Sequence, residues 1–347
     1  MLVTGGTGYI GSHTVVELIN EGFEVVIIDD LSNSEMEVVS RIEKITGVKP
    51  RFYQFDLCDR TELKAFFEEN NNIDGIIHFA AFKAVGESVQ FPVSYYRNNL
   101  VSLINVLEEL NHCAGKNLVF SSSCTVYGQP DELPVTENAP LKPAESPYGN
   151  TKKICEEILH DCCKARQELN VISLRYFNPV GAHDTALIGE LPKGVPNNLI
   201  PFITQTGAGI LPELKVFGDD YDTEDGTAVR DYIHVVDLAK AHIAAVKRLL
   251  SNTSDTNYEH FNVGTGNGYS VLDIIKTFEK VCGKPLNYKI VNRRPGDIEK
   301  IYAETDLANQ QLRWKAERNL EDMLASAWKW QESLKKQSDE PKMLASK

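Results

Sequence analysis

Two textures alternate along the first half of the chain. Short, nearly continuous apolar runs at 2–3, 25–28, 52–55, 75–79, 118–120 and 171–174 are separated by stretches with helical spacing at 9–20, 36–45, 62–69, 93–110 and 148–167. Unbroken apolar strands with helices between them predict an α/β fold, a parallel sheet covered on both faces. After Tyr176 the pattern breaks up. Pro179, Pro192, Pro196, Pro201 and Pro212, among many glycines, punctuate it into loops and short elements, and the acidic stretch 218–226 reads as a solvated loop. Helical spacing returns at 237–250 and 271–281. The change of texture predicts one domain over 1–177, a smaller C-terminal substrate-binding domain over 178–336, and a polar, flexible tail over 337–347.

Composition narrows the class. In 347 residues, 42% hydrophobic and 24% charged, there is enough apolar content for a packed core, which excludes a disordered or fibrous chain. The formal net charge of −13 repels phosphate backbones and anionic bilayers, so neither nucleic acid nor a membrane surface is an expected partner. No apolar run approaches the roughly 20 residues needed to span a bilayer. The first residues run straight into a glycine loop, which leaves no room for a signal peptide and suggests a start a residue or two late. Seven cysteines without a C-x-x-C pair suggest neither a disulfide framework nor a zinc ribbon. His183, His234 and His242 are not spaced as ligands on one element, so no metal is expected. The expectation is a reduced, cytoplasmic protein.

The first chemical signal is T-G-G-T-G-Y-I-G over residues 4–11. Gly5, Gly8 and Gly11 can supply a tight turn, a close backbone approach to a pyrophosphate, and a close helix–strand contact. The following helix then offers free N–H groups and a partial positive charge to the phosphates. Asp29 closes the second predicted strand, where a carboxylate accepts from ribose hydroxyls and repels a 2′-phosphate. Together these predict a Rossmann-type, doubly wound sheet that binds NAD rather than NADP. Asp56, after the third strand, suits an adenine amino group, although a polar residue there also serves as a cap or turn. Gly264-x-Gly266-x-Gly268 imitates a nucleotide loop but leads into Ser270, a candidate helix cap, and reads as a strand-to-helix turn.

The second signal is Tyr148-x-x-x-Lys152 on a predicted helix opened by Ser146-Pro147. A spacing of four places both side chains on one face. Bringing a tyrosine from a pKa of about 10 to about 7 takes roughly 4 kcal/mol of preferential phenolate stabilisation. A neighbouring ammonium and a nicotinamide cation are suited to supply it, giving a general base at working pH. Ser123, at the end of the fifth predicted strand, can hydrogen-bond a substrate hydroxyl and relay its proton.

T-G-G-T-G-Y-I-G, F-S-S-S-C-T-V-Y-G and S-P-Y-G-N-T-K resemble motifs of the extended short-chain dehydrogenase/reductase superfamily. K-A-V-G-E-S-V-Q from Lys83, R-Y-F-N-P-V-G-A-H from Arg175, P-N-N-L from Pro196 and the run from Asp220 through D-Y-I-H-V-V-D-L-A narrow the likeness to its UDP-hexose 4-epimerases, as far as about Gln331. That resemblance implies an isomerase acting on UDP-glucose and UDP-galactose. Tyr148 would remove the 4-hydroxyl proton while hydride leaves carbon 4 for NAD, and the 4-keto sugar would turn over before hydride returns. It implies coenzyme contacts at Tyr9, Ile10, Asp29, Asn33, Asp56, Leu57, Phe79, Lys83, Asn98, Phe177, Tyr148 and Lys152. Substrate contacts are implied at Lys83, Ser123, Tyr148, Asn178, Asn197, Asn198, Leu199, Phe217, Arg230, Tyr232, Arg294, Asp297 and Ile301. It also suggests a homodimer packed through the helices at 93–110 and 148–167. Arg230 and Arg294 suit a pyrophosphate, though Arg230 within Val229-Arg230-Asp231 also suits a structural ion pair.

Departures from the family pattern are informative. Ala81, Phe82 and Cys124 replace the usual glycine, leucine and alanine. Ile301 occupies the position that walls the sugar's 2-substituent, where tyrosine goes with rejecting N-acetylated sugars and smaller residues with accepting them. Isoleucine is intermediate, which suggests turnover of UDP-GlcNAc and UDP-GalNAc as well. A dehydratase would need acids where Ser123-Cys124-Thr125 stands, and a silent NAD sensor would not need Tyr148 and Lys152.

Overall fold

β-Branched runs fit the pleated, half-buried surface of a strand, and here each run of the first half supplies one strand to a single sheet. The computed structural model describes residues 1–294 and 297–339. The chain opens with β1 (Leu2–Thr4), α1 (Tyr9–Asn20), β2 (Val26–Ile28), α2 (Glu37–Thr46), β3 (Arg51–Tyr53) and α3 (Arg60–Glu69). It continues with β4 (Ile76–His78), α4 (Val85–Gln90), α5 (Pro92–Glu109), β5 (Asn117–Ser123), α6 (Pro147–Ala165) and β6 (Asn170–Tyr176). Predicted and observed bounds differ mostly by a residue or two. The exceptions are the short α4, which had no sequence signal, and the ends of β5 and β6. There pairing overrides composition: β5 and β6 match residue for residue from Asn117 opposite Asn170 to Ser123 opposite Tyr176, drawing all three serines into the sheet.

The second half adds β7 (Asn178–Val180), α7 (Leu199–Gly207), β8 (Leu214–Phe217), β9 (Val229–His234), α8 (Val235–Leu250) and β10 (Tyr258–Val263). Then come β11 (Gly268–Ser270), α9 (Val271–Cys282), β12 (Tyr288–Val291), β13 (Lys300–Ile301), α10 (Asp306–Gln311) and α11 (Leu320–Asp339).

The main sheet is parallel throughout, in the order β10-β6-β5-β4-β1-β2-β3. Side chains alternate between its faces. Val3, Ile27, Ile77, Val119 and Ile172 pack toward Val15 and Val16 of α1 and Leu238 and Ala241 of α8. Leu2, Val26, Ile76, Leu118 and Val171 pack toward Phe66 of α3, Leu103 of α5 and Leu159 of α6. The strand order reverses between β1 and β4, and the crevice above such a switch point is where an open α/β sheet binds ligands.

The expected division at residue 177 does not hold, because the chain returns to the first lobe beyond it. α8 packs on α1, and β10 becomes the edge strand of the main sheet beside β6. The apolar stripe of α8 (Leu238, Ala241, Ala245, Leu249) needs a face to cover, and the first sheet provides it. The second lobe is therefore built from 178–234 together with segments after 263. Its β9 pairs parallel with β7 and β13 and antiparallel with β11, while β8 pairs with β12. Ile203, Val216, Tyr232, Ile274, Phe278, Met323 and Leu324 form its core. The turn expected at Gly264–Gly268 includes the start of β11, and Ser270 caps α9 in a reciprocal capping box with Asp273. α11 runs past the expected start of the tail as far as Asp339; 340–347 lie outside the described residues. Among the described residues no helix is long and apolar enough to cross a membrane.

Candidate active site

The glycine loop joins β1 to α1 at the switch point. Gly5 has φ +69°, a left-handed backbone, and a Cβ there would stand 2.8 Å from the Ala80 nitrogen. At Gly11 a Cβ would collide with the Gly5 carbonyl, so α1 can start this close to the loop only with glycine. Gly8 is the N-cap of α1, with no side-chain cap and no acid in the first turn. The positive end of α1 is thus not neutralised by its own sequence, which suits an anionic diphosphate. The Asp29 carboxylate is held in place by Thr7 N at 3.1 Å on Oδ2 and Leu31 N at 3.0 Å on Oδ1. Leu31 itself has φ +60°, unusual for a non-glycine residue and a common mark of a functional turn. These residues fit a dinucleotide.

The other expected coenzyme residues line the same edge of the sheet. Ile10 and Phe79 pack against the core on the α1 side, and Leu57 is buried on the opposite face. Asn33 is exposed in the loop after β2. Asp56 is exposed and accepts from Cys58 N at 2.8 Å, so the turn role considered for it is realised. Asn98 on α5 donates through its side-chain amide to Oδ1 of the Asn99 side chain at 3.0 Å. Tyr9, the first residue of α1, donates its hydroxyl to the Gly181 carbonyl at 2.6 Å and so joins the two lobes.

Three consecutive serines close β5, each with its own partner. Ser121 pairs through its hydroxyl with Tyr176, and its carbonyl accepts the Lys152 ammonium at 2.6 Å. Ser122 donates to Glu156 at 2.5 Å. Ser123 accepts from Thr125 N at 3.3 Å and lies within hydrogen-bonding reach of the Tyr148 hydroxyl. Tyr148 stands in the first turn of α6, placed there by the Ser146 cap and Pro147. One turn on, Lys152 is buried, with its Nζ 4.9 Å from the Phe120 ring centre.

The electrostatics correct one expectation. Burial, followed by the neighbouring Tyr176, lifts the Tyr148 hydroxyl well above the ordinary tyrosine value, and the Ser123 hydrogen bond opposes that rise. The polypeptide by itself therefore keeps Tyr148 protonated, because desolvation outweighs the help its own groups give a phenolate. Burial also lowers Lys152 to about 8, which still leaves it mostly charged at neutral pH.

On the other side of the crevice, Arg230 is paired with Asp297 at 2.6 Å and donates to the Val229 carbonyl at 2.9 Å. The ion pair considered for Arg230 is thus formed. Arg294 lies over Phe217, 4.5 Å from the ring centre, with Asp297 4.0 Å away; Pro295 and Gly296 of that motif lie outside the described residues. Ile301, opposite Arg230 in the sheet and 2% exposed, joins Cys124 and Phe177 in one apolar cluster. That cluster brings the sugar-side strand against the residue that follows Ser123. Asn178 begins β7, Tyr232 is buried in β9, Leu199 opens α7, and Asn197 is exposed beside it. Asn198 donates to Glu190 at 2.6 Å.

Sequence reasoning missed several residues. Asn99 bonds the Phe82 backbone at both N (2.8 Å) and O (3.0 Å) and donates to Thr151 at 2.9 Å, tying the loop after β4 to α6 beside Lys152. Arg175 grips Glu156 through Nε and Nη2 and reaches the Tyr127 hydroxyl at 3.0 Å. A charged residue inside the apolar run of β6 was the available signal, since a buried arginine requires a partner. Among the described residues no cluster of histidine, cysteine or carboxylate side chains is arranged to hold a metal.

The pattern of the NAD dependent epimerase/dehydratase family matches residues 1–264. The chain is 51% identical to a UDP-glucose 4-epimerase of Bacillus subtilis (strain 168), over 96% of this chain and 97% of that one. A UDP-glucose 4-epimerase from Bifidobacterium longum, solved in complex with NAD+ and UDP, superposes with a TM-score of 0.91 at 48% identity, covering 96% of this chain and 98% of the other. One from Stenotrophomonas maltophila, with NAD and formylated UDP-arabinopyranose, gives 0.93 at 48% identity over 97% and 98%.

Proposed function

Because the chain belongs to the NAD dependent epimerase/dehydratase family, we propose that it interconverts UDP-glucose and UDP-galactose by reversible NAD-dependent oxidation at sugar carbon 4, through a 4-keto intermediate. The observation that carries the reading is the convergence of Tyr148, Ser123 and Lys152 at the carboxyl end of β5, beside a glycine loop suited to a dinucleotide.

The coenzyme, when bound, supplies a hydride acceptor and a positive ring. Tyr148 takes the proton of the 4-hydroxyl in one direction and returns it in the other. Ser123 holds that hydroxyl and stabilises the phenolate by donation. Lys152, fixed on the Ser121 carbonyl, adds positive charge to a site where burial alone favours the neutral phenol. Residues 1–177 with α8 and β10 hold the coenzyme, and the remaining lobe holds the UDP-hexose. Arg230 and Arg294 meet the diphosphate, with Asn178, Asn197, Asn198, Leu199, Phe217 and Tyr232 around the nucleotide.

Ile301 extends the proposal to UDP-GlcNAc and UDP-GalNAc, since its side chain leaves more room than a tyrosine would in that cluster. Free thiols at all seven cysteines support a cytoplasmic setting. Exposed Val93 and Ile104 on α5 support a homodimer through the helices at 93–110 and 148–167.

NMR of UDP-galactose and UDP-GalNAc, incubated separately with the protein, tests the reading. Both substrates should approach equilibrium with their 4-epimers, and Tyr148→Phe should retain NAD while losing on the order of 10²-fold or more in turnover. No UDP-glucose from UDP-galactose would overturn the main reading. No UDP-GlcNAc beside normal hexose turnover would overturn the extension alone.

A further inference from the structure

Between β7 and α7, both in the second lobe, a long loop reaches over to the first, and Glu190 lies near the middle of that loop. Its backbone is fixed from behind. The carbonyl accepts from Trp330 Nε1 at 2.9 Å, and a Cβ on the preceding Gly189 would stand 2.6 Å from the Trp330 ring, so that ring packs directly on the loop. Its carboxylate is only 14% exposed. One oxygen, Oε1, serves two donors: Lys83 Nζ at 3.3 Å and Asn198 Nδ2 at 2.6 Å. Lys83 comes from the loop after β4, with its Nζ 5.9 Å from the ring centre of Tyr9 at the start of α1. Asn198 stands at the N-cap position of α7 in the second lobe, without a side-chain cap bond. A single acid therefore holds a cation of the coenzyme side and an amide of the sugar-nucleotide side.

Each contact has a physical consequence. Lys83 is half exposed on a long, flexible stem, so a fixed anion narrows where its ammonium can be. An asparagine amide presents a donor and an acceptor that exchange places on flipping. Pinning Nδ2 on Glu190 turns the Asn198 carbonyl the other way, as an acceptor for a ligand donor. The same loop is latched further on, where Lys193 Nζ bonds the Leu31 carbonyl at 3.0 Å and the Ser32 carbonyl at 2.8 Å, on the turn that follows Asp29.

We infer that Glu190 is a positioning residue that sets Lys83 and Asn198 together and so couples the grip on NAD to the grip on the UDP-sugar. This rests on the function proposed above. Glu190→Ala removes both contacts; Glu190→Gln keeps an acceptor for Asn198 but removes the charge facing Lys83. In Glu190→Ala, the KM for UDP-galactose rises about tenfold, the size of one charge-assisted hydrogen bond, while kcat falls by less than KM rises. The fraction of protein retaining NAD after gel filtration also drops. Glu190→Gln brings KM back to within about threefold of wild type, because the Asn198 bond is worth about one neutral hydrogen bond, but not the NAD retention. Titration of UDP into NAD-loaded protein reads the Asn198 arm whichever sugar is turned over, so a failure of the epimerase reading is told apart from a failure here. The inference is overturned if Glu190→Ala binds UDP and retains NAD as wild type does. It is equally overturned if both variants lose kcat, affinity and melting temperature in parallel, as a merely structural residue would.

Discussion

Arg175 and Arg230 invite comparison, because each lies on a strand, faces a carboxylate at 2.6 Å and neighbours a residue assigned to the reaction. Their surroundings differ. The Arg175 and Glu156 side chains are 5% and 4% exposed, and protein groups satisfy them: Ser122 on Glu156, Tyr127 and the Glu137 carbonyl on Arg175. Burial works against the Arg175 charge, yet hydrogen bonds and attraction to Glu156 and Tyr127 hold it more firmly protonated than usual. Arg230 and Asp297 are 17% and 18% exposed, and Asp297 is shared with Arg294. One pair is architectural, clamping β6, the neighbour of the strand that carries Ser123, to the helix that carries Lys152. The other keeps solvent contact, as the diphosphate contact proposed for Arg230 requires.

Breaking one side of the buried pair gives the largest effect. Glu156→Gln leaves the Arg175 charge uncompensated in the interior and costs about 3–5 kcal/mol. Thermal unfolding should fall on the order of 10 °C. Pairing the change with Arg175→Met removes the stranded charge and should restore more than half of the loss. If Glu156→Gln melts within a degree or two of wild type, the contrast between the two pairs collapses.

The same contrast explains what was legible beforehand. The glycine loop, Asp29, Tyr148 and Lys152 are local signals: each belongs to one turn or one helical face, and the spacing alone defines its geometry. Glu156 is also one helical turn from Lys152, but its meaning comes from Arg175 on a different element, across a sheet. β10 and α8 were misplaced for a related reason. Their apolar pattern marks them as buried without saying under which sheet, and the partner strand β6 is remote in sequence. Strands as short as β13, two residues long, carry no periodicity to read. Ile301 lies against Cys124 only because β9, β13 and the end of β5 meet in three dimensions. The protonated state of Tyr148 was hidden too, since spacing announces a neighbouring ammonium but not the depth of burial that opposes it.

Arg230→Met comes next. Losing a charged donor to a diphosphate costs about 2–3 kcal/mol of binding, or roughly 30- to 150-fold in the KM for UDP-galactose. Melting should move by no more than a few degrees, because a partly exposed pair contributes about 1 kcal/mol or less to stability. A melting loss matching that of Glu156→Gln would make Arg230 a second architectural arginine.

The smallest effect belongs to Asp297→Asn, and it separates two roles for that carboxylate. If Asp297 acts by orienting Arg230, the amide still accepts the 2.6 Å hydrogen bond and loses only the charge. The cost is then about 0.5–1 kcal/mol, roughly a two- to fivefold rise in KM. Removing the anion also lets both arginines present more positive charge to a diphosphate, which limits the loss further. If Asp297 instead contacts the nucleotide directly, as the family resemblance implies, the amide loses a bond that Arg230 does not replace. Combining the two substitutions decides between these roles. For an orienting carboxylate, Arg230→Met with Asp297→Asn has the KM of Arg230→Met alone; for a direct contact, the two costs add.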